Sequence, residues 1–234
     1  MFRPAELTRG VLFLSHGASG SPDLMRPLVD RLLGEGFAVV APLHRDSMTY
    51  PPDERDDLQT AFGTRIADLQ AMPSVAERLF PGLPFGAVGY SYGSLTALIG
   101  GGALKHIVGA RVPAMKAVAS FSSPGLMPGV VTDAGLQSVV VPTLMVTGTK
   151  DFVAGFIPDH AQHIHYFENE PSGNRYLAVV DGASHEFVYG REPGYDAAID
   201  ITVNFLKAFV LGDEMALRAL NATDDRGSVE FRRR

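Results

Sequence analysis

Short runs of apolar residues alternate with amphipathic segments along most of the chain. Six runs have the length and content of buried strands, at residues 10–15, 37–41, 85–90, 115–121, 143–146 and 176–180. Between several of them, apolar residues recur every three or four positions, as on one face of a helix. Continuous apolar strands separated by such helices are typical of a parallel sheet with helices on both faces. The pattern therefore predicts an α/β fold with a mostly parallel sheet.

Two helical patterns make specific predictions about where elements begin and end. The pattern over residues 64–79 contains Pro73, which predicts a kink or the start of a second helix at that point. The final pattern covers residues 195–209 and is followed by Gly212, a residue that commonly ends helices. In this interpretation the strand at residues 176–180 is the last strand, and the helix after it closes the fold.

The composition narrows the classes of function. In 234 residues, 46% are hydrophobic and 20% charged, with no internal repeat or linker, so we predict one domain spanning residues 1–234. Lys+Arg 20 against Asp+Glu 26 gives a net charge of −6, which argues against a nucleic-acid partner. No apolar stretch approaches the roughly 18 residues of a membrane span. The absence of cysteine excludes disulfides and thiolate metal sites. We expect a cytoplasmic protein, or a secreted one if a leader was removed.

The segment Gly-Tyr-Ser-Tyr-Gly at residues 89–93 lies where an apolar strand passes directly into a helical pattern. A G-x-S-x-G motif in this setting is the nucleophile elbow of many serine hydrolases. Its glycines allow strand and helix to approach closely, and the helix N-terminus favours a developing negative charge. The alternative is that Ser91 only caps the helix, a common use of serine at such a junction. We predict that Ser91 is a nucleophile.

A serine needs a base, and in this fold class the acid and then the histidine follow the serine along the chain. His185 lies in a loop after the strand at residues 176–180, which makes it the predicted general base. Two aspartates could orient it. Asp151 follows the strand at residues 143–146, whereas Asp181 stands four residues before His185. Asp151 is favoured because catalytic loops lie at the carboxyl ends of parallel strands.

A serine nucleophile also requires two N–H groups that bind the oxyanion. One is predicted to be the backbone N–H of Tyr92, directly after Ser91, and the other the N–H of Ala18 in the loop after the first strand. His16, in the same loop, is expected to support it by hydrogen bonding without exchanging a proton with the substrate.

Two further pairs of polar residues have helical spacing. His160 and His163, at i and i+3, could begin a metal site, but no third ligand has comparable spacing, so a solvated helix face is the preferred interpretation. Arg65 and Asp68 also stand at i and i+3, and an ion pair on a helix surface is the simplest account of them. We therefore predict neither a metal nor a cofactor.

These segments together resemble the α/β-hydrolase superfamily, and within it the dienelactone-hydrolase-like and platelet-activating-factor-acetylhydrolase-like serine esterases. The resemblance covers residues 10–213 and is carried by Ser-His-Gly-Ala-Ser-Gly at 15–20, the strand and turn at 37–42, the helix with Arg65 and Asp68, residues 89–93, Asp151, His185, and Phe-Val-Leu-Gly-Asp at 209–213. It implies an α/β-hydrolase fold. Fewer than twenty residues separate Phe121 from Val139, so little or no cap is expected. Dienelactone hydrolases themselves use a cysteine nucleophile, and because this chain has no cysteine, that activity is not expected.

The function expected from these features is that of a serine esterase working through an acyl-enzyme. Its partner would be a small-molecule ester with a short acyl group, or an exposed polyester chain. A thioesterase or acyltransferase with the same three residues is an alternative, and a non-catalytic binding module with this fold is another. The sequence does not predict the oligomeric state. Side chains considered as candidates for the substrate site are Tyr90, Tyr92, Met127, Phe152 and Phe187.

Overall fold

Seven strands form one sheet in the computed structural model, which describes residues 1–225 and 227–234. The strands are β1 (Gly10–Ser15), β2 (Phe37–Val40), β3 (Phe85–Tyr90), β4 (Met115–Phe121), β5 (Thr143–Lys150), β6 (Arg175–Ser184) and β7 (Val229–Arg233). Their order in the sheet is β2-β1-β3-β4-β5-β6-β7. The first six strands pair in parallel, and β7 pairs antiparallel with β6. The predicted α/β fold with a mostly parallel sheet is confirmed.

Helices cover both faces of this sheet. They are α1 (Arg26–Gly34), α2 (Leu58–Leu79), α3 (Tyr92–Gly100), α4 (Asp133–Leu136), α5 (Ala161–Asn169), α6 (Tyr195–Val210) and α7 (Glu214–Asn221). Helices α1, α6 and α7 contribute to one apolar cluster, and α2, α3, α4 and α5 contribute to the other. Across the residues described, no helix combines the length and the apolar character that crossing a membrane would require.

Strand β1 shows why the apolar runs are continuous. Leu12 and Leu14 belong to the cluster on one face, whereas Val11 and Phe13 belong to the cluster on the other. Side chains alternate between faces along a strand, so a strand buried on both sides needs an apolar residue at every position. The two-sided burial that the sequence pattern predicts is therefore present in the structure.

The prediction that the strand at residues 176–180 is the last one is wrong. Helix α6 is followed by α7 and by β7, which adds an antiparallel edge strand beside β6. Only Val229 of β7 is buried, and its charged residues Glu230, Arg232 and Arg233 are exposed. A short, charged strand is ordinary at a sheet edge. Because one buried residue gives no periodic pattern, this strand could not be recognised from hydrophobicity.

Pro73 does not start a second helix. Helix α2 continues through it, and begins earlier than predicted, where the Asp57 carboxylate accepts a hydrogen bond from the Thr60 N–H at 2.7 Å. Proline removes one helical N–H, but the buried side chains of Met72 and Ala76 lie on either side of it. Packing of this face against the sheet offsets the missing hydrogen bond.

Candidate active site

The chain turns sharply at Ser91, between β3 and α3. Its φ is 53° and its ψ is −121°, a conformation that a residue with a side chain rarely adopts. A Cβ atom on Gly89 would lie 2.2 Å from the carbonyl oxygen of Gly93, and a Cβ on Gly93 would lie 2.0 Å from that of Ser15. Only glycine fits at these two positions. The local sequence therefore allows the tight turn that presents Ser91 at the carboxyl edge of the sheet.

Three of the predicted residues form one chain of hydrogen bonds. The Ser91 Oγ lies 3.0 Å from Nε2 of His185, and Nδ1 of His185 lies 2.7 Å from Oδ1 of Asp151. A carboxylate can only accept, so Nδ1 carries a proton and Nε2 can accept the proton of the serine hydroxyl. The side chain of His185 is 15% exposed and that of Asp151 is 0% exposed. The three side chains come from loops after β3, β5 and β6, which end at the same edge of the sheet.

The carboxylate of Asp151 has more than one partner. Its Oδ2 accepts a hydrogen bond from Oγ1 of Thr147 at 2.8 Å. Its Oδ1, which contacts Nδ1 of His185, also lies 3.0 Å from Nε2 of His163. Burial alone would raise the pKa of Asp151, but the hydrogen bonds from His163 and His185 hold it well below its ordinary value. Asp151 is therefore ionised at neutral pH.

Asp181, the alternative acid, lies elsewhere. Its side chain is exposed, and its Oδ1 accepts a hydrogen bond from Oγ1 of Thr149 at 3.1 Å. The same Thr149 oxygen accepts the N–H of Gly182 at 2.8 Å, so Asp181 belongs to an exposed part of β6 beside Thr149. The structure brings Asp151, and not Asp181, against His185.

The expectation of a solvated helix face is wrong for His163. This residue is fully buried on α5, while His160 precedes that helix and lies 3.0 Å from Asp159. The burial of His163 could have been predicted from the sequence. It stands three and four residues before Tyr166 and Phe167, which are buried on the same helix face.

The ligand atoms of Asp151, His163 and His185 lie within 4.8 Å of one another, a spacing that a metal ion could bridge. The imidazole nitrogens nearest to Asp151, however, both lie at hydrogen-bond distance from its Oδ1. Nitrogens that donate protons to a carboxylate have no lone pair for a metal. Hydrogen bonding accounts for this cluster.

The loop after β1 contains Ala18 and lies against Ser91. A Cβ on Gly17 would lie 2.8 Å from the ring of Tyr90 and 3.3 Å from the Cβ of Ser91. Ala18 and Tyr92 line the same cavity as Ser91. Neither backbone N–H has an acceptor within residues 1–225 and 227–234. The first N–H groups of a helix are free to bind an anion, and that of Tyr92 belongs to this set.

Arg65 holds this loop from inside the protein. Its guanidinium donates to the carbonyl oxygens of His16 at 2.7 Å and Gly17 at 3.1 Å. It also forms two hydrogen bonds with Asp46, at 3.0 and 2.9 Å, and Asp46 in turn accepts the N–H of Ser19 at 2.9 Å. Burial alone would raise the pKa of Asp46, but the hydrogen bonds from Arg65 lower it. This buried ion pair fixes the loop that contains Ala18.

The prediction of a surface ion pair between Arg65 and Asp68 is wrong. The side chain of Arg65 is only 1% exposed, and that of Asp68 accepts a hydrogen bond from Nδ1 of His44 at 2.7 Å. The helical spacing does indicate that Arg65 is buried, because it lies four residues from both Ala61 and Leu69 on the buried face of α2. Spacing within the helix could not reveal the partners, which lie in distant loops.

His16 supports the loop by hydrogen bonding, as expected. Its Nδ1 lies 2.8 Å from the carbonyl oxygen of Gly17, and its Nε2 accepts the backbone N–H of His44 at 3.1 Å. A nitrogen that accepts carries no proton, so the ring is neutral. Burial, together with the neighbouring His44 and Arg65, lowers the pKa of His16 to about 3. His16 is thus a neutral structural group at physiological pH.

A second serine–histidine–aspartate arrangement lies beneath the loop. Oγ of Ser15 lies 2.8 Å from Nε2 of His44, whose Nδ1 is bonded to Asp68. Ser15 is fully buried at the end of β1, and Arg65 also approaches its hydroxyl at 3.5 Å. Because no solvent reaches the Ser15 hydroxyl, this arrangement can support the loop but cannot receive a substrate.

The cavity beside Ser91 has a volume of about 470 Å³. Its walls are mainly apolar and include the side chains of Leu58, Met127, Phe156 and Ile157. Between β4 and β5, where every residue is described, the one helix is α4, which has four residues. No helical cap is built there, so the cavity opens to solvent.

The candidate substrate residues divide into two groups. Tyr90, Tyr92 and Met127 line the cavity. Phe187 is instead buried in the apolar cluster beneath α6, and Phe152 is exposed outside the cavity wall. Sequence position near a strand end does not distinguish these outcomes, since each depends on the direction of one side chain.

Two other grooves are slightly larger, with volumes of about 590 and 580 Å³. One lies between the N-terminal segment and the end of α1, and the other lies between α1 and α6. Neither is lined by Ser91 or His185. Size alone therefore does not identify the site, and the reactive side chains do.

The arrangement can perform one kind of chemistry. A hydroxyl, an imidazole and a carboxylate in this order can remove the proton of the serine as its oxygen attacks an electrophile. The free N–H groups of Ala18 and Tyr92 border the same cavity, where negative charge would develop. Neither a protein-family model nor a curated protein matches this sequence.

Proposed function

We propose that the protein is a serine hydrolase of the α/β-hydrolase superfamily that cleaves carboxylic esters through an acyl-enzyme. The observation that carries the proposal is the strained turn at Ser91 combined with the hydrogen bonds from Ser91 to His185 and from His185 to Asp151. Strained backbone of this kind is retained where the surrounding structure holds it, and such residues are frequent in active sites.

In the proposed mechanism, Oγ of Ser91 attacks the ester carbonyl while Nε2 of His185 takes the hydroxyl proton. The N–H groups of Ala18 and Tyr92 bind the oxyanion of the tetrahedral intermediate. The intermediate collapses, His185 returns its proton to the leaving alcohol, and the acyl group remains on Ser91. Water then attacks the acyl-enzyme with His185 again as base, which releases the carboxylic acid.

Asp151 has two tasks in this mechanism. Its carboxylate keeps the proton of His185 on Nδ1, so that Nε2 faces Ser91 with a free lone pair. It also stabilises the imidazolium that forms when the serine loses its proton. The lowered pKa of Asp151 supports both tasks because the carboxylate remains charged.

The cavity favours small or extended apolar substrates. Leu58, Met127, Phe156 and Ile157 offer apolar walls for an acyl chain, and the open side leaves room for a leaving group that projects into solvent. Esters of short carboxylic acids fit this space, as do the exposed chains of a polyester. Among the described residues that line the cavity there is no lysine or arginine to pair with an anionic acyl group.

Hydrolysis of p-nitrophenyl esters of increasing acyl length tests the proposal, with Ser91→Ala as the matched inactive variant. We expect measurable turnover of the short esters and loss by several orders of magnitude in Ser91→Ala. Matched thioesters, and the same esters with an added alcohol acceptor, distinguish an esterase from a thioesterase or acyltransferase. A folded parent protein with no turnover of any of these substrates would contradict the proposal.

A further inference from the structure

Asp151 is bonded to two histidines through the same oxygen atom. Nδ1 of His185 lies 2.7 Å from Oδ1, and Nε2 of His163 lies 3.0 Å from it. Nε2 of His163 also lies 3.2 Å from the backbone oxygen of Asp151. The rings of His163 and His185 are inclined to each other by 29°, with centroids 6.1 Å apart. His163 is fully buried and does not line the cavity, so it can act on a substrate only through its neighbours, of which Asp151 is the one that accepts its hydrogen bond.

His163 has a second polar neighbour on the side of its ring away from Asp151. Oγ of Ser123 lies 2.8 Å from Nδ1 of His163 and accepts the N–H of Gly125 at 3.2 Å. The hydroxyl of Ser123 therefore lies within hydrogen-bond distance of Nδ1. A carboxylate can only accept, so Nε2 of His163 carries a proton and directs it at Asp151.

We propose that His163 is a positioning residue, which holds Oδ1 of Asp151 in place and limits how strongly this carboxylate stabilises the protonated form of His185. The inference rests on the proposed function. A carboxylate oxygen that already accepts one proton donor is a weaker acceptor for a second. Sharing Asp151 therefore keeps His185 neutral, and able to act as a base, to a lower pH than Asp151 alone would allow.

The other ionisable groups around this cluster leave the argument unchanged. They are Tyr90, which lies beside His185; Tyr189, which contacts Tyr90; Tyr166 on the helix of His163; Glu186 after His185; and Lys150 before Asp151. Burial raises the pKa of each of the three tyrosines, so they are neutral throughout the pH range of the test. Glu186 and Lys150 are exposed, where solvent screens their charges.

The test measures kcat/KM for p-nitrophenyl butyrate across pH in the parent protein and three variants. His163→Leu removes the donor to Asp151. His163→Gln retains an amide N–H at a similar distance along the side chain. Tyr166→Phe is the matched control, because it removes a buried hydrogen bond from α5 to Gly125 without touching Asp151. Labelling of Ser91 by a fluorophosphonate, with circular dichroism, shows that each variant is folded and has a reactive serine.

We expect the acid limb of the profile for His163→Leu to move up by about one pH unit, the effect of losing one charge-assisted hydrogen bond. The rate of His163→Leu then falls about tenfold on the acid side of the limb and recovers most of this loss on its alkaline side. His163→Gln should restore at least half of the shift. Tyr166→Phe should leave the limb where the parent has it.

A uniform loss of rate at every pH in His163→Leu, with an unmoved acid limb, would overturn the inference, as would an equal shift in Tyr166→Phe. If His163→Leu does not fold, His163→Gln and Tyr166→Phe decide. A Gln variant whose acid limb moves by more than about half a pH unit then contradicts the inference. These results differ from failure of the proposed function, in which the parent neither labels at Ser91 nor hydrolyses the ester.

Discussion

The guanidinium of Arg65 lies 2.7 Å from the backbone oxygen of His16, so a buried side chain of α2 holds the loop that faces Ser91. Carbonyl groups that point inward to Arg65 leave the adjacent N–H groups free to point outward. The Nε and Nη2 groups of Arg65 donate hydrogen bonds to the carboxylate of Asp46, whose negative charge balances that of the guanidinium inside the protein. The orientation of the proposed oxyanion loop therefore depends on a residue outside the cavity wall.

Arg65→Lys tests this dependence. Lysine keeps the positive charge but cannot bond Asp46 and two carbonyl groups at once. We expect kcat for a p-nitrophenyl ester to fall about 10²-fold, the size of effect seen when an oxyanion donor is lost. The matched control is Arg78→Lys, an exposed change on the same helix, which should leave kcat unaltered. Full activity in a folded Arg65→Lys protein would show that the loop does not require the guanidinium.

Two glycines should respond in opposite directions to the same substitution. A Cβ on Gly93 would lie 2.0 Å from the backbone oxygen of Ser15, and backbone cannot move aside cheaply. Gly63 lies in the interior of α2, and a Cβ there meets nothing within 4 Å. We expect Gly93→Ala to destabilise the protein by more than about 3 kcal/mol. Gly63→Ala should stabilise it by up to about 1 kcal/mol.

Urea unfolding of both variants measures these free energies. A stable, active Gly93→Ala protein would contradict the close packing of α3 against β1. A destabilised Gly63→Ala protein would show that α2 is not helical, or not exposed, at that position.

The buried neutral His16 predicts that stability falls in mild acid. Its pKa is about 3 in the folded protein and near 6.5 in the unfolded chain. Between these two values the unfolded chain binds more protons, so the free energy of unfolding decreases as the pH falls. The slope contributed by His16 is about 1.4 kcal/mol per pH unit. Burial lowers the pKa of His44 as well, which adds to the slope.

Urea titrations between about pH 7 and pH 5 compare this slope in the parent and in a variant without the His16 ring. The comparison is needed because burial raises the pKa of Glu170 to about 7, which adds a slope of the opposite sign to both proteins. His16→Asn removes the titrating ring. The free energy of unfolding should then depend less steeply on pH, whatever the effect of the substitution on stability at neutral pH. His106→Asn is the control, because His106 is exposed. An unchanged slope in His16→Asn would mean that His16 is not buried in its neutral form.

Much of the sheet could be predicted from the sequence, because strands buried on both faces need apolar residues at every position. Val11 to Leu14 illustrate this, with alternate side chains in the two clusters. Strand β7 was missed because it is exposed and buries only Val229. Its place beside β6 depends on chain folding after α6, about which the local pattern contains no information.

The residues proposed for catalysis could be identified from strand ends, whereas the groups that hold them could not. Ser91, Asp151 and His185 each follow an apolar strand, which is a local signal. Arg65 and His163 lie on buried helix faces, which the helical spacing of apolar residues indicates. Their partners Asp46 and Asp151, however, lie in loops 19 and 12 residues away along the chain. Which polar group a buried side chain meets is decided by tertiary packing.

The assignment of the acid can be tested with two asparagine variants. Asp151→Asn removes the charge beside His185 and favours the wrong tautomer of its ring, so turnover should fall by up to about 10⁴. Asp181→Asn changes an exposed residue of β6 that is hydrogen-bonded to Thr149, and should lower turnover by less than about tenfold. Circular dichroism confirms that both variants are folded. Greater loss in the Asp181 variant would transfer the proposed role from Asp151 to Asp181.

The most direct test of the central proposal identifies the residue that reacts with a fluorophosphonate. The parent protein is treated with the probe, digested, and analysed by mass spectrometry. A single adduct on the peptide containing Ser91, lost in Ser91→Ala and strongly reduced when His185 is replaced by alanine, is the predicted result. An unlabelled parent protein, or an adduct on any other residue, would contradict the account.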